Sequence, residues 1–245
     1  MNHKANRSSG FTIVELMMAM AFLAVLLVVI TMTVIQISNV YNKGLTMRAV
    51  DQAGRSISSD IRQTLSQSQP FNVSTAFCLQ TSNGGCTTSV SDAVAGRLCT
   101  GVFSYVWNDG KALSNPINVF TSGSQQIRFV RVRDNGGQYC ADVSRKIDNS
   151  ASADPREFLN GDNANLAMQT FGITLIAQDA TIGQALYSVT FEVSTNDQSA
   201  LQQDQHIDAI DTSCRPPSDT SALIDYCAVN RFDFTAEAGN KGGQQ

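Results

Sequence analysis

The chain has 245 residues, 42% of them apolar and only 16% charged, with a formal net charge of −4. That length supports a sizeable core in one or two domains. The acidic balance and the scattered basic residues exclude a binder that works by counterion release from a clustered basic face, so no nucleic-acid partner is expected.

Residues 1–10 are polar and basic, with Lys4 and Arg7 and no acid. From Phe11 to Ile35 there is no basic residue, and the only charge is Glu15. Leu16 to Ile35 is broken only by Thr31 and Thr33. At ~1.5 Å per residue this run spans ~30 Å, the thickness of a bilayer core. The positive-inside rule places residues 1–10 in the cytoplasm and the rest outside. The run is too long for an ordinary secretory signal, and no A-x-A site follows it. Glu15 has two readings. An acid inside a membrane segment marks function, whereas an interfacial carboxylate complements a helix N-terminus.

Gly10-Phe11-Thr12-Ile13-Val14-Glu15-Leu16, after a short basic leader and before the apolar run, resembles the class III signal of type IV prepilins. The resemblance covers leader, cleavage site and helix. It implies that a membrane-embedded prepilin peptidase cuts between Gly10 and Phe11 and N-methylates Phe11. Gly10 has no side chain, which suits close approach to the backbone. It also implies that Glu15 pairs with the terminal amine of a neighbouring subunit in a filament core. A slip would leave a buried charge unpaired, which makes Glu15 a register and assembly device. The implied partners are other pilins, major and minor, through the N-terminal helix, the peptidase, the inner-membrane assembly platform and, before assembly, the membrane. The implied location is the inner membrane, single-pass with the head outside the cytoplasm, then the pilus or cell surface.

Ile37, Val40, Tyr41, Leu45, Val50, Ala53, Ile57, Ile61 and Leu65 recur mostly at three- and four-residue spacing, which predicts an amphipathic helix. Gly44 and Gly54 are weak points within it. Pro70, the first proline, marks its end. One helix from about Thr12 to about Ser66 would be ~80 Å long; two helices with a break near Gly44 are the alternative. Many pilins carry a proline in the first half of this helix, where Met32 stands here. The predicted organisation is a cleaved leader 1–10, a transmembrane or filament-core helix 11–36, an amphipathic helix 37–69 packing on the head, and a disulfide-bonded, β-rich extracytoplasmic head 70–245.

After Pro70 the predicted strands are Val73–Leu79, Leu98–Trp107, Gln126–Arg133, Gln138–Val143, Phe171–Ala177, Leu186–Val193 and Ala228–Thr235. Asp134-Asn135-Gly136-Gly137 predicts a tight hairpin between the third and fourth. Gln80–Ala95 and Asp148–Asn165 are rich in turn residues. The expected class is α+β, the pilin fold, with a long helix packed on an antiparallel sheet.

Cys78, Cys86, Cys99, Cys140, Cys214 and Cys227 all follow the apolar segment, and none forms a CxxC pair. A thiolate metal site normally shows close pairs with His nearby, so no metal is expected. Disulfides in an oxidising compartment are one reading and buried free thiols the other. Six cysteines allow fifteen pairings. A sequential pairing is expected: Cys78–Cys86, Cys99–Cys140 and Cys214–Cys227. The last resembles the C-terminal disulfide loop of type IV pilins, often a contact or adhesion surface, and encloses Arg215-Pro216-Pro217-Ser218-Asp219.

The head is large for a major pilin. The stretch from Arg48 through Asp60-Ile61-Arg62 resembles PilW and J-type minor pilins. These resemblances imply a minor pilin, a priming or tip subunit needed for pilus assembly. A J-type pseudopilin of a type II secretion system is the close rival, and a tip adhesin or DNA-uptake subunit is a reading of another class. The six cysteines favour a pilus. No enzyme is expected. His3 lies in the leader, His206 reads as part of a polar loop, and no G-x-S-x-G, P-loop or H-E-x-x-H motif is present. Gly161-Asp162-Asn163-Ala164-Asn165 is oxygen-rich but lacks EF-hand spacing and a distal Glu. No cofactor is expected.

Overall fold

The computed structural model describes residues 11–114, 120–122, 125–134, 137–141, 146–147, 153–161, 164–179, 181–206, 209–216 and 226–239. The chain divides into two compact units, Met1–Asn42 and Lys43–Gln245. One helix, α1 (Ile13–Gln67), runs through that boundary with no break at Gly44.

In the second unit α1 buries Val50, Ala53, Ile57, Ile61 and Leu65, a stripe at three- and four-residue spacing. Each fully buried aliphatic side chain contributes about 1.5–3 kcal/mol. After α1 come α2 (Val73–Ala76), β1 (Phe77–Gln80), β2 (Cys86–Thr87), β3 (Ala95–Cys99), β4 (Phe103–Asn108) and α3 (Gly110–Ser114). Next are β5 (Thr121–Ser122), β6 (Gln125–Gln126), β7 (Phe129–Arg133), α4 (Gln138–Ala141), β8 (Lys146–Ile147), β9 (Arg156–Glu157) and β10 (Asn160–Gly161). The long strands follow: β11 (Ala164–Asp179), β12 (Gln184–Thr195), β13 (Leu201–His206), β14 (Ala209–Cys214) and β15 (Val229–Ala238).

Two sheets meet α1 in one core. One has the order β2-β1-β3-β4-β7-β9 and the other β10-β11-β12-β15. Aromatic rings join them: Trp107 lies 4.7 Å from Phe171, which stacks on Phe191, which stacks on Phe232. Apart from the parallel pair β5 and β8, the paired strands are antiparallel, so a long helix with antiparallel sheets gives an α+β class.

Several predicted strands are corrected. Val73–Leu79 splits because Asn72 caps α2, its Oδ1 accepting the Ser74 N–H at 3.0 Å. Leu98–Trp107 is two strands, turned back on each other at Gly101, whose φ of 103° suits only glycine. The hairpin at Asp134 does not form. Gln138–Ala141 is the helix α4, and β7 pairs instead with β4 and β9. Asp134 explains this: its carboxylate is buried and accepts the N–H groups of Gln138 (2.8 Å) and Tyr139 (3.2 Å) and the hydroxyl of Ser104 (2.7 Å). The segment of His206 is strand β13, paired with β14, and not a loop.

Candidate functional site

Functional side chains gather at two places along α1, each in its own unit. The first is the N-terminal end. Thr12 Oγ1 accepts the Glu15 N–H at 3.3 Å, while Glu15 Oε2 accepts the Thr12 N–H at 2.9 Å and the Thr12 hydroxyl at 2.8 Å. This reciprocal pattern is a capping box, and it starts the helix at Ile13. The Thr-x-x-Glu spacing signals it in the sequence, yet neither the register reading nor the interface reading of Glu15 includes it. Every residue from Phe11 to Ile35 is exposed, Phe11 to 87%. Gly10 and the rest of 1–10 lie outside the described residues. The hydroxyls of Thr31 and Thr33 donate to the carbonyls of Leu27 (2.7 Å) and Val29 (2.8 Å), so both polar interruptions are satisfied inside the helix. The helix is long and apolar enough to cross a membrane.

The second place is the junction of α1 with the six-stranded sheet. Asp60 is buried and its Oδ1 accepts from Arg131 Nη1 at 2.8 Å and Arg156 Nη1 at 3.4 Å. Tyr105 Oη lies 2.7 Å from both Asp60 Oδ2 and Thr64 Oγ1. One phenolic proton serves one acceptor, so Tyr105 donates to the carboxylate and accepts from Thr64. Burial first, and then the Asp60 charge, push the Tyr105 phenol well above its ordinary range. Ile61 is fully buried in the core, and Arg62 sits 4.8 Å over the ring of Phe234. Asp60, Ile61 and Arg62 thus reach three different parts of the head from consecutive positions. Sequence reasoning singled out the triplet but not its partners; those of Asp60 lie 45 to 96 residues away, and Phe234, under Arg62, lies further still.

The Cys78–Cys86 disulfide closes the loop between β1 and β2, and Cys214–Cys227 ties the end of β14 to the start of β15. Cys99 is disulfide-bonded as well, while the side chain of Cys140, its expected partner, lies outside the described residues. So do Asp162, Asn163 and the His206 side chain. Among the described residues no three His, Cys, Asp or Glu side chains gather as a metal site.

No protein-family model, no curated protein and no solved structure matches this chain. The class rests on its own geometry: among the described residues, one helix of membrane-spanning length near the amino end, followed by a disulfide-bonded α+β unit.

Proposed function

We propose that this chain is a structural subunit of a type IV pilus-like filament, a minor pilin of the PilW and J-type group, and not an enzyme. One observation carries the reading. The segment Gly10 to Leu16, with its basic leader, stands at the start of an unbroken helix of 55 residues whose first turns expose only apolar side chains, Thr12 and Glu15. A peptidase cut after Gly10 would free an amine beside Glu15. The exposed helix would then leave the bilayer for a bundle of like helices, where its apolar surface is again covered. The disulfides fit a head that folds outside the cytoplasm.

The test is intact-mass analysis of protein from the native host. The mature chain is expected to begin at Phe11 with an N-methyl group. An unprocessed Met1 terminus, or cleavage after residue 35, overturns the proposal. The Asp60-Ile61-Arg62 triplet also suits a J-type pseudopilin. Deletion that abolishes surface pili and leaves protein secretion intact selects the pilus, and the reverse selects the secretion system.

A further inference from the structure

On the α1-facing side of the six-stranded sheet three guanidinium groups crowd together. Arg131 and Arg156 are direct partners across β7 and β9, and Arg133 stands opposite Phe103 across β7 and β4. Arg131 lies 4.6 Å and Arg133 5.6 Å from the centre of the same Phe103 ring. Like charges so placed repel. The carboxylate that answers them is Asp60, and its two oxygens are already taken by Arg131, Arg156 and Tyr105. Counted over these four described residues, the patch keeps an excess of two positive charges, in a chain whose net charge is −4.

Arg131 is largely buried and its Nε has no partner among the described residues, so the outward-facing donors are those of Arg156 and Arg133. The Arg156 side chain is 56% exposed although it touches Asp60. Arg133 is exposed and stacks on the ring, with no carboxylate partner among the described residues. Beside them a pocket of about 110 Å³ is lined by Thr64, Gln67, Ser68, Thr100, Val102 and Phe103, with Val102 half-exposed. A guanidinium fork takes a carboxylate by two parallel hydrogen bonds, and a ring beneath the fork holds it flat.

The geometry points to a docking site for an acidic protein segment, with Arg133 and Arg156 clasping a carboxylate and Val102 and Phe103 receiving an adjacent apolar side chain. The apolar neighbour is what selects a protein segment over a free oxyanion. This inference goes beyond the filament reading and stands without it.

The test uses the full chain in detergent micelles, with the Arg Nε–H resonances followed by NMR. The probes are a short peptide of alternating Glu and Leu, its Gln-for-Glu counterpart, and inorganic phosphate. The Glu peptide is expected to shift the Arg133 and Arg156 signals saturably, more weakly as salt rises, while the Gln peptide leaves them in place. Arg133→Gln, which removes no ion pair among the described residues, is expected to weaken binding about tenfold, the size of one charge-assisted hydrogen bond. Arg133→Glu should weaken it further. The proposal is overturned if the Glu peptide moves neither signal at low salt, if Arg133→Gln binds as tightly as the parent while keeping its thermal midpoint, or if phosphate alone saturates the signals and the peptide does not.

Discussion

Asp60 Oδ1 on α1 and Arg131 Nη1 on β7 lie 2.8 Å apart although 71 residues separate them in sequence. The pair ties the helix to the sheet at a buried position. Breaking a buried ion pair leaves a charge without compensation, at about 3–5 kcal/mol. Asp60→Ala is expected to lower stability by that amount, because Tyr105 and Arg131 both lose their acceptor. Arg156→Gln removes a long, half-exposed contact with Asp60 and an exposed stacking contact with the Phe158 ring, and is expected to cost about 1–2 kcal/mol, well below Asp60→Ala. Urea unfolding of the two variants, followed by the fluorescence of Trp107, the chain's only tryptophan and a buried one, checks the contrast.

The two glycines of α1 respond in opposite ways to the same substitution. A Cβ at Gly44 meets nothing within 4 Å, so Gly44→Ala gains the helix propensity of alanine, about 1 kcal/mol. A Cβ at Gly54 falls 2.1 Å from the ring of Phe232, which is itself stacked 5.2 Å from Phe191. Forcing that ring aside disturbs the core, and overpacking of this kind costs about 1–3 kcal/mol. Gly54→Ala is therefore expected to be destabilising despite its better propensity. Thermal midpoints of the two variants are expected to move in opposite directions.

Gly54 also shows where the sequence stops being informative. Periodic apolar residues and the run before them made α1 readable from Ile13 to Leu65, because every signal was local. Gly54 reads as a weak point by propensity, yet its role is set by Phe232 on a strand far along the chain. Asp134 is the reverse case. Asp-Asn-Gly-Gly is a strong turn signal, but the buried Asp134 carboxylate takes up the otherwise orphaned N–H groups of Gln138 and Tyr139 at the start of α4, together with the Ser104 hydroxyl, and this settles the competition in favour of α4. The Asp60 junction was legible only as a motif, since no local pattern names Arg131, Arg156 or Tyr105 as its partners.

Asp109 gives the head a pH dependence. It is buried between β4 and α3, where its Oδ1 accepts the Lys111 N–H at 2.8 Å and its own N–H donates to the Val94 carbonyl. Burial raises its carboxyl to about 7 from an ordinary 3.8, against the opposing pull of the Lys111 N–H and charge. Between pH 4 and 7 the folded chain holds a proton that the unfolded chain has released. Stability from this group is therefore fully present below pH 4 and is lost as pH rises towards 7, by up to about 1.4 kcal/mol per pH unit. Asparagine keeps the acceptor for Lys111 and carries no charge. Asp109→Asn is expected to raise the thermal midpoint at pH 7.5, to change it little at pH 4, and to remove that part of the pH slope. An unchanged midpoint at pH 7.5 would show that Asp109 bears no such penalty.

Glu15 is both the acceptor of a capping box and the charge on which the filament proposal depends, and two substitutions separate these roles. Glu15→Gln keeps an oxygen that accepts from Thr12, and glutamine serves in a capping box as glutamate does. It removes the negative charge. Thr12→Val does the opposite: the charge stays, while the hydroxyl that donates to Glu15 and accepts from its N–H is gone. In detergent the Glu15 amide is expected to exchange faster in Thr12→Val than in the parent, and little faster in Glu15→Gln. If Glu15 acts by pairing with a neighbour's amine, Glu15→Gln abolishes incorporation into filaments and Thr12→Val retains it. If it acts only by starting the helix, Glu15→Gln assembles normally and Thr12→Val is the defective chain. Counting filament-borne subunits of the two variants in the native host decides between charge and cap.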